Sequence, residues 1–254
     1  LDFGNAVQDS IEIIYSFYDY QFGNGWEAEK HRLPEVEKYF LKQWTIHNVP
    51  EDTFKKYMKT KAGRESGYTK REQLYEEFKN DGLAILRSYW KEKELLIVEH
   101  GIDIDQTEVK LWVDMHNPVD PSDKLPIPLS GRIDYVTRQT ETVKRKLGDF
   151  KTSKGSLNAK DMVKKIQCKA YPFGWLMLHG EFLADFDYVV LRKGLVSEDR
   201  IQVVPLHFDE SDMLEFYIRV KSILLRIANR EFPRGQIGHQ SFCDCYKYEE
   251  LLKV

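Results

Sequence analysis

An α/β fold, a central mixed sheet flanked by helices with a helical N-terminal elaboration, is predicted by three features of this sequence. Residues 26–93 are densely charged and carry apolar residues at helical spacing. Short β-rich runs follow, among them Ile133-Asp-Tyr-Val136, Asp187 to Arg192 and Ile201 to Leu206. Helices before, between and after these runs complete a layered α/β pattern.

Taken in order, Gly4 to Tyr20 reads as a helix, with Ala6, Val7, Ile11 and Ile14 near one face. Residues Trp26 to Lys93 read as mainly helical, interrupted near Asn48-Val-Pro50 and Lys61 to Gly67. The last helix of this part is expected to run from Thr69 to about Lys93, with Thr69 as N-cap and Glu72 completing a capping box. Tyr39, Phe40, Trp44, Phe54, Tyr57, Tyr68 and Tyr75 fall among lysines here, as core residues or as surfaces on which single-stranded bases stack. Leu95-Leu-Ile-Val-Glu99 reads as a strand, resuming after Gly101 as Ile102 to Trp112. A proline-rich loop, Asn117 to Pro128, leads to the next hairpin.

That hairpin organises the rest. Ile133, Tyr135 and Val136 face Leu147 and Phe150 across a turn at Gln139-Thr-Glu-Thr142. A turn centred between Glu141 and Thr142 sets Asp134 opposite Asp149, and Lys151, two residues on, shares the face of both. Neighbouring carboxylates repel unless a cation offsets them, and a divalent metal is the usual solution. A lysine beside such a metal can orient water and stabilise charge on a phosphate, chemistry suited to phosphodiester hydrolysis. The acid-x-Lys pattern recurs at Glu77-Phe-Lys79 and Glu108-Val-Lys110, but only Asp149 follows a Gly-x-x-Asp strand across a hairpin.

After the hairpin, a helix from about Ala159 to His179 puts Gln167 and Tyr171, four residues apart, on one face, with a kink or break expected at Pro172. A last helix is expected from Asp209 to Glu231, capped by Asp209 or Ser211.

Gly131-Arg-Ile-Asp134, Gly148-Asp149-Phe-Lys151-Thr152 and Gln167-x-x-x-Tyr171, in this order, resemble the motifs of the PD-(D/E)xK nuclease superfamily, in its RecB-like branch. The resemblance implies a restriction-endonuclease-like core. It makes Asp134 and Asp149 metal ligands, adds the main-chain carbonyl of Phe150, and makes Lys151 the catalytic lysine. It implies Mg²⁺ or Mn²⁺ as cofactor, and Gln167 and Tyr171 as residues that steady the active site and the DNA backbone. It places a metal-assisting glutamate before the Gly-x-x-Asp strand, where Glu99 stands. The branch often carries a histidine in Gly-x-x-x-His of an early helix. Gly4-Asn-Ala-Val-Gln8 has glutamine there, a hard neutral ligand, a holder of water, or a residue with no role.

On this reading a single nuclease domain spans the chain: helical residues 1–93, a catalytic core over 94–206, and a C-terminal helix and tail over 207–254. The expected substrate is DNA, with single-stranded ends or flaps favoured, cut to 5′-phosphate products in repair or recombination, with a recombination or replication protein as partner. Two alternatives remain open, an inactive DNA-binding or scaffold module and a restriction-type endonuclease.

Composition is compatible with this. The 254 residues are 42% hydrophobic, enough for a full core, and the net charge of −3 leaves DNA binding to local lysines. Lys144 to Lys146 precede the active strand, and Lys154, Lys160, Lys164, Lys165 and Lys169 follow it, with Lys154 and Lys164 expected on the DNA. Cys168, Cys243 and Cys245 fall short of the four thiolates of a cluster, so Fe–S is not expected, and Cys243-x-Cys245 reads as reduced thiols that pack the tail onto the core. No apolar run reaches the length of a membrane span, which reads as a soluble cytoplasmic protein. The start at Leu1 suggests a trimmed chain or a piece of a longer one.

Overall fold

The computed structural model describes residues 3–16, 32–194 and 200–229. The N-terminal part is helical: α1 (Phe3–Ser16), α2 (Arg32–Gln43), a 3₁₀ turn (Ile46–Asn48), α3 (Glu51–Met58), α4 (Lys61–Glu65) and α5 (Arg71–His100). Then follow β1 (Ile104–His116), β2 (Lys124–Thr137), β3 (Leu147–Ser153), α6 (Ala159–Met162), α7 (Ile166–His179), β4 (Asp185–Arg192), β5 (Ile201–His207) and α8 (Glu210–Ala228). The strands lie in chain order, with β3 and β4 parallel and the other neighbours antiparallel. The parallel step requires a crossover, and α6 and α7 provide it.

Two cores lie on opposite faces of this mixed sheet. On one face Tyr135, Phe150, Val189 and Leu191 pack with Ala6, Ile11, Phe40, Ile85 and Tyr89 of the N-terminal helices. On the other, Phe186, Tyr188 and Val190 meet Phe173 of α7 and Met213 and Phe216 of α8. Strand β4 serves both cores by alternation, so its interior is buried throughout, an apolar run interrupted by Asp187, which pairs with Lys146 at 3.2 Å. Phe40, Trp44 and Phe54 are core residues, and Tyr57, Tyr68 and Tyr75 pack against that core, so burial accounts for them.

The segment Leu95 to Glu99 corrects the sequence expectation. It is the end of the 30-residue helix α5, not a strand. Within it Leu96 is buried while Leu95, Ile97 and Val98 are exposed, which is helical and not alternating. The helix already running from Arg71 overrides the β-propensity of Ile and Val, and Gly101 ends it in the left-handed conformation at φ 64°. The start of α5 also differs. Gln73 Oε1 accepts the N–H groups of Thr69 and Lys70 at 2.7 and 3.0 Å, so Gln73 caps this end, and neither the Thr69 cap nor the Glu72 box forms as expected.

Two further boundaries move. The proline-rich loop shrinks, because β2 already starts at Lys124 and pairs Pro128 with Asp114. The helix expected over Ala159 to His179 divides into α6 and α7, while α7 runs on through Pro172. Helix α8 starts as expected, with Asp209 Oδ1 accepting from Asp212 N at 3.1 Å, whereas Glu231 lies outside the described residues. So do Tyr20, Trp26, Cys243 and Cys245.

Candidate active site

The β2–β3 hairpin has the expected register. Tyr135 pairs with Gly148 and Val136 with Leu147, which sets Asp134 beside Asp149. The N–H of Phe150 donates to Asp134 Oδ2 at 2.8 Å, tying the two strands at the point where the carboxyls meet. Asp149 is fully buried and Asp134 nearly so. Lys151 shares the face of Asp149, its Nζ 2.6 Å from Asp149 Oδ2. That buried oxygen accepts no hydrogen bond of good geometry, despite the short ion pair.

Gly148 makes the approach possible. A Cβ there would overlap the Tyr135 ring, whose hydroxyl donates to the carbonyl of Asp187 at 3.2 Å. The other motif glycine is less constrained, since a Cβ on Gly131 would meet Tyr171 at an ordinary 3.6 Å.

From the opposite face of the sheet, α7 supplies Gln167. Its Nε2 donates to Asp149 Oδ1 at 2.8 Å and to the Tyr171 hydroxyl at 2.5 Å. One helical turn separates the two residues, so a single face of α7 makes the chain Tyr171–Gln167–Asp149. Tyr171 is buried at 8% exposure, and burial raises its hydroxyl to about 12, so it stays protonated. Both residues act inward, on Asp149.

Helix α1 brings Gln8, whose amide hydrogen-bonds the carboxyls of Asp134 and Glu12. Glu12, one turn after Gln8, meets Glu108 of β1, and Glu108 in turn pairs with Arg132 of β2. Glu108 falls between the pairs Thr107–Tyr135 and Val109–Ile133, hence opposite Asp134. Among the described residues it is the non-glycine with positive φ, 55°, a conformation a glutamate rarely adopts and one that often marks a functional position.

Neither Glu12 nor Glu108 is among the sequence candidates; the four-residue spacing of Glu12 from Gln8 is a signal that points to Glu12, whereas the pairing of Glu108 with Asp134 shows only in the strand register. Glu108 belongs to an acid-x-Lys triplet set aside in the sequence reading. Glu99, by contrast, is exposed on the last turn of α5, where it lines a surface groove with Thr142, Val143, Lys144 and Asp185. The helix that replaces the expected strand carries it away from the hairpin face. Lys154 and Lys164 are exposed, Lys154 with Nζ 5.9 Å from the Tyr57 ring centre and Lys164 paired with Asp161 at 2.9 Å.

The electrostatics are those of crowded acids. Burial first, then the charge of Asp134, pushes the Asp149 carboxyl up to about 7. Burial, then Glu108, pushes Glu12 up to about 8. Burial also raises Asp134, against the N–H of Phe150 and the charge of Lys151, which hold it down. Among the described residues no group of three or more His, Cys, Asp and Glu side chains is arranged to hold a metal ion as it stands. The donor chemistry nonetheless fits a hard divalent cation: carboxylates of Asp134 and Asp149, the amide oxygen of Gln8, and a buried Asp149 oxygen without a well-aligned donor.

A scan against protein-family models finds no match, and no curated protein matches. Eight solved chains do match. One, described as "Crystal structure of SSO0001", aligns over 75% of this chain and 94% of that one, at 13% identity and a TM-score of 0.30. An overlap this loose carries no weight for fold family or activity.

Proposed function

We propose that this chain is a metal-dependent nuclease of the PD-(D/E)xK type that hydrolyses DNA phosphodiester bonds to 5′-phosphate products, acting at single-stranded ends or flaps. The observation that carries the reading is the convergence of Asp134, Asp149 and Lys151 on one hairpin, with Gln167 behind them. This convergence supports the reading that the motif order suggests in the sequence.

Asp134 and Asp149 would hold Mg²⁺ or Mn²⁺, aided by the Phe150 carbonyl, Gln8 and Glu108, with Glu108 in the role that the family resemblance implied for Glu99. When bound, the metal supplies a polarised phosphate and a more acidic water. Lys151 offers a positive charge toward the attacked phosphate and a donor that orients water. Gln167 fixes which oxygen of Asp149 faces the ligand, and the buried Tyr171 fixes Gln167. Phe150 N–H does the same for Asp134.

The test is cleavage of end-labelled single-stranded and duplex DNA with Mg²⁺, with Mn²⁺ and with chelator, for the wild type beside Lys151→Ala. Metal-dependent loss of label that vanishes in the variant is the expected result. Binding of DNA without cleavage under either metal would replace this reading with that of an inactive binding module.

A further inference from the structure

The β1–β2 hairpin extends well beyond the acidic cluster, and its two faces differ. One face is seated on α7, where Leu111 and Leu129 close on Gly174. On the other, among the described residues, Lys110 stands exposed opposite Arg132, and Trp112 exposed opposite Ser130. Trp112 is 72% exposed, a large ring left in water on a sheet face whose reverse side is well packed. Asp114, opposite Pro128, lies further out on the same face.

This face is continuous with the candidate active site. Arg132 pairs with Glu108, which meets Glu12 and lies opposite Asp134. Trp112 lies four residues beyond Glu108, about 13 Å along β1. A flat aromatic surface thus lies just outside a pair of basic side chains, which in turn border the acidic pocket.

Resting on the nuclease reading for the identity of the anion, we infer that Trp112 is a stacking platform for an unpaired base of a single-stranded nucleic acid, with Lys110 and Arg132 holding the phosphates that lead to Asp134 and Asp149. An aromatic ring with cations beside it suits a single strand, because every base offers a face for stacking and every linkage a charge. A duplex offers the charges but not the faces, since its bases are already stacked on each other. The basic pair argues for an anionic occupant over an apolar one, and Asp114 is far enough out to leave the path between Trp112 and the site positive.

The experiment titrates wild-type protein in chelator with a labelled oligothymidylate, reading fluorescence anisotropy of the label and quenching of tryptophan emission. The chain has five tryptophans, so Trp112→Phe gives the response of the other four, and its difference from the wild type is the signal of Trp112. Quenching present in the wild type and lost in Trp112→Phe is expected. Affinity should persist in Trp112→Phe and fall about 5- to 150-fold in Trp112→Ala, the range given by stacking one base. Blunt duplex should bind more weakly than the single strand and respond little to the substitution.

Unchanged single-strand affinity in Trp112→Ala would overturn the inference, as would a shift from dimer to monomer in sedimentation without any loss of binding. The latter would make the face, on the edge strand β1, a contact between copies. Cleavage with Mg²⁺ is read separately. Protein that binds through Trp112 without cutting sinks the nuclease reading alone, and protein that cuts while Trp112→Ala binds normally sinks the platform alone.

Discussion

Gln167 Nε2 lies 2.8 Å from Asp149 Oδ1 and 2.5 Å from the Tyr171 hydroxyl, so the orientation of a fully buried carboxylate on β3 is set from a helix across the sheet face. A donor at Oδ1 leaves Oδ2 to Lys151 and to any cation. Gln167→Ala should therefore weaken metal-supported cleavage about 10- to 100-fold and raise the Mg²⁺ concentration needed for half-maximal rate. Cleavage rates across a Mg²⁺ titration check this, and an unchanged metal requirement would remove Gln167 from the site.

The two glutamates before the hairpin should behave differently. Glu108→Ala removes an acid that meets Glu12 and lies opposite Asp134, and is expected to reduce metal-dependent cleavage by about tenfold or more. Glu99→Ala removes an exposed helix-end carboxylate and should leave the rate within about twofold. A reversed order in side-by-side kinetics would restore the original assignment.

Stability should fall with pH in the absence of metal. The Asp149 carboxyl moves from the ordinary 3.8 to about 7, and that of Glu12 from 4.5 to about 8. A carboxyl raised by folding favours the folded state below its unfolded value and loses that contribution as pH rises through the folded one. Chelated protein should thus melt at progressively lower temperature from about pH 5 to about pH 8. Asp149→Asn should flatten part of this slope, and Mg²⁺ should raise Tm more at the alkaline end, where it no longer competes with protons. A Tm that rises over this window would contradict the buried-acid account.

The motif glycines should separate under substitution. Gly148→Ala drives a methyl into the Tyr135 ring and is expected to cost about 1–3 kcal/mol or more. Gly131→Ala meets Tyr171 at normal contact distance and should cost no more than about 0.5 kcal/mol. Denaturant melts of both variants decide it.

Cys168 should be inert. It is fully buried, donates to the carbonyl of Lys165 at 2.9 Å, and has its thiol raised by burial to about 11. The thiolate is the reactive form. Peptide mapping after iodoacetamide should find Cys168 unmodified in native protein at neutral pH and modified once denaturant is added.

The register that joins Asp134 to Asp149 was legible in the linear chain because side chains on a strand alternate with a period of two. Once the turn is placed at Glu141 and Thr142, every opposite pair follows, and Lys151 joins the same face. The spacing of Gln167 and Tyr171 was legible for the corresponding helical reason. Leu95 to Glu99 was misread because β-propensity differs by only about 1 kcal/mol between residues, less than a long helix already in progress and the burial of Leu96 can supply. The meeting of Glu12, Glu108 and Asp134 and the exposure of Trp112 were decided by the tertiary structure. Residues so far apart in sequence come together only when α1 docks on the sheet and α7 covers one side of the β1–β2 hairpin, and neither event leaves a local pattern in the chain.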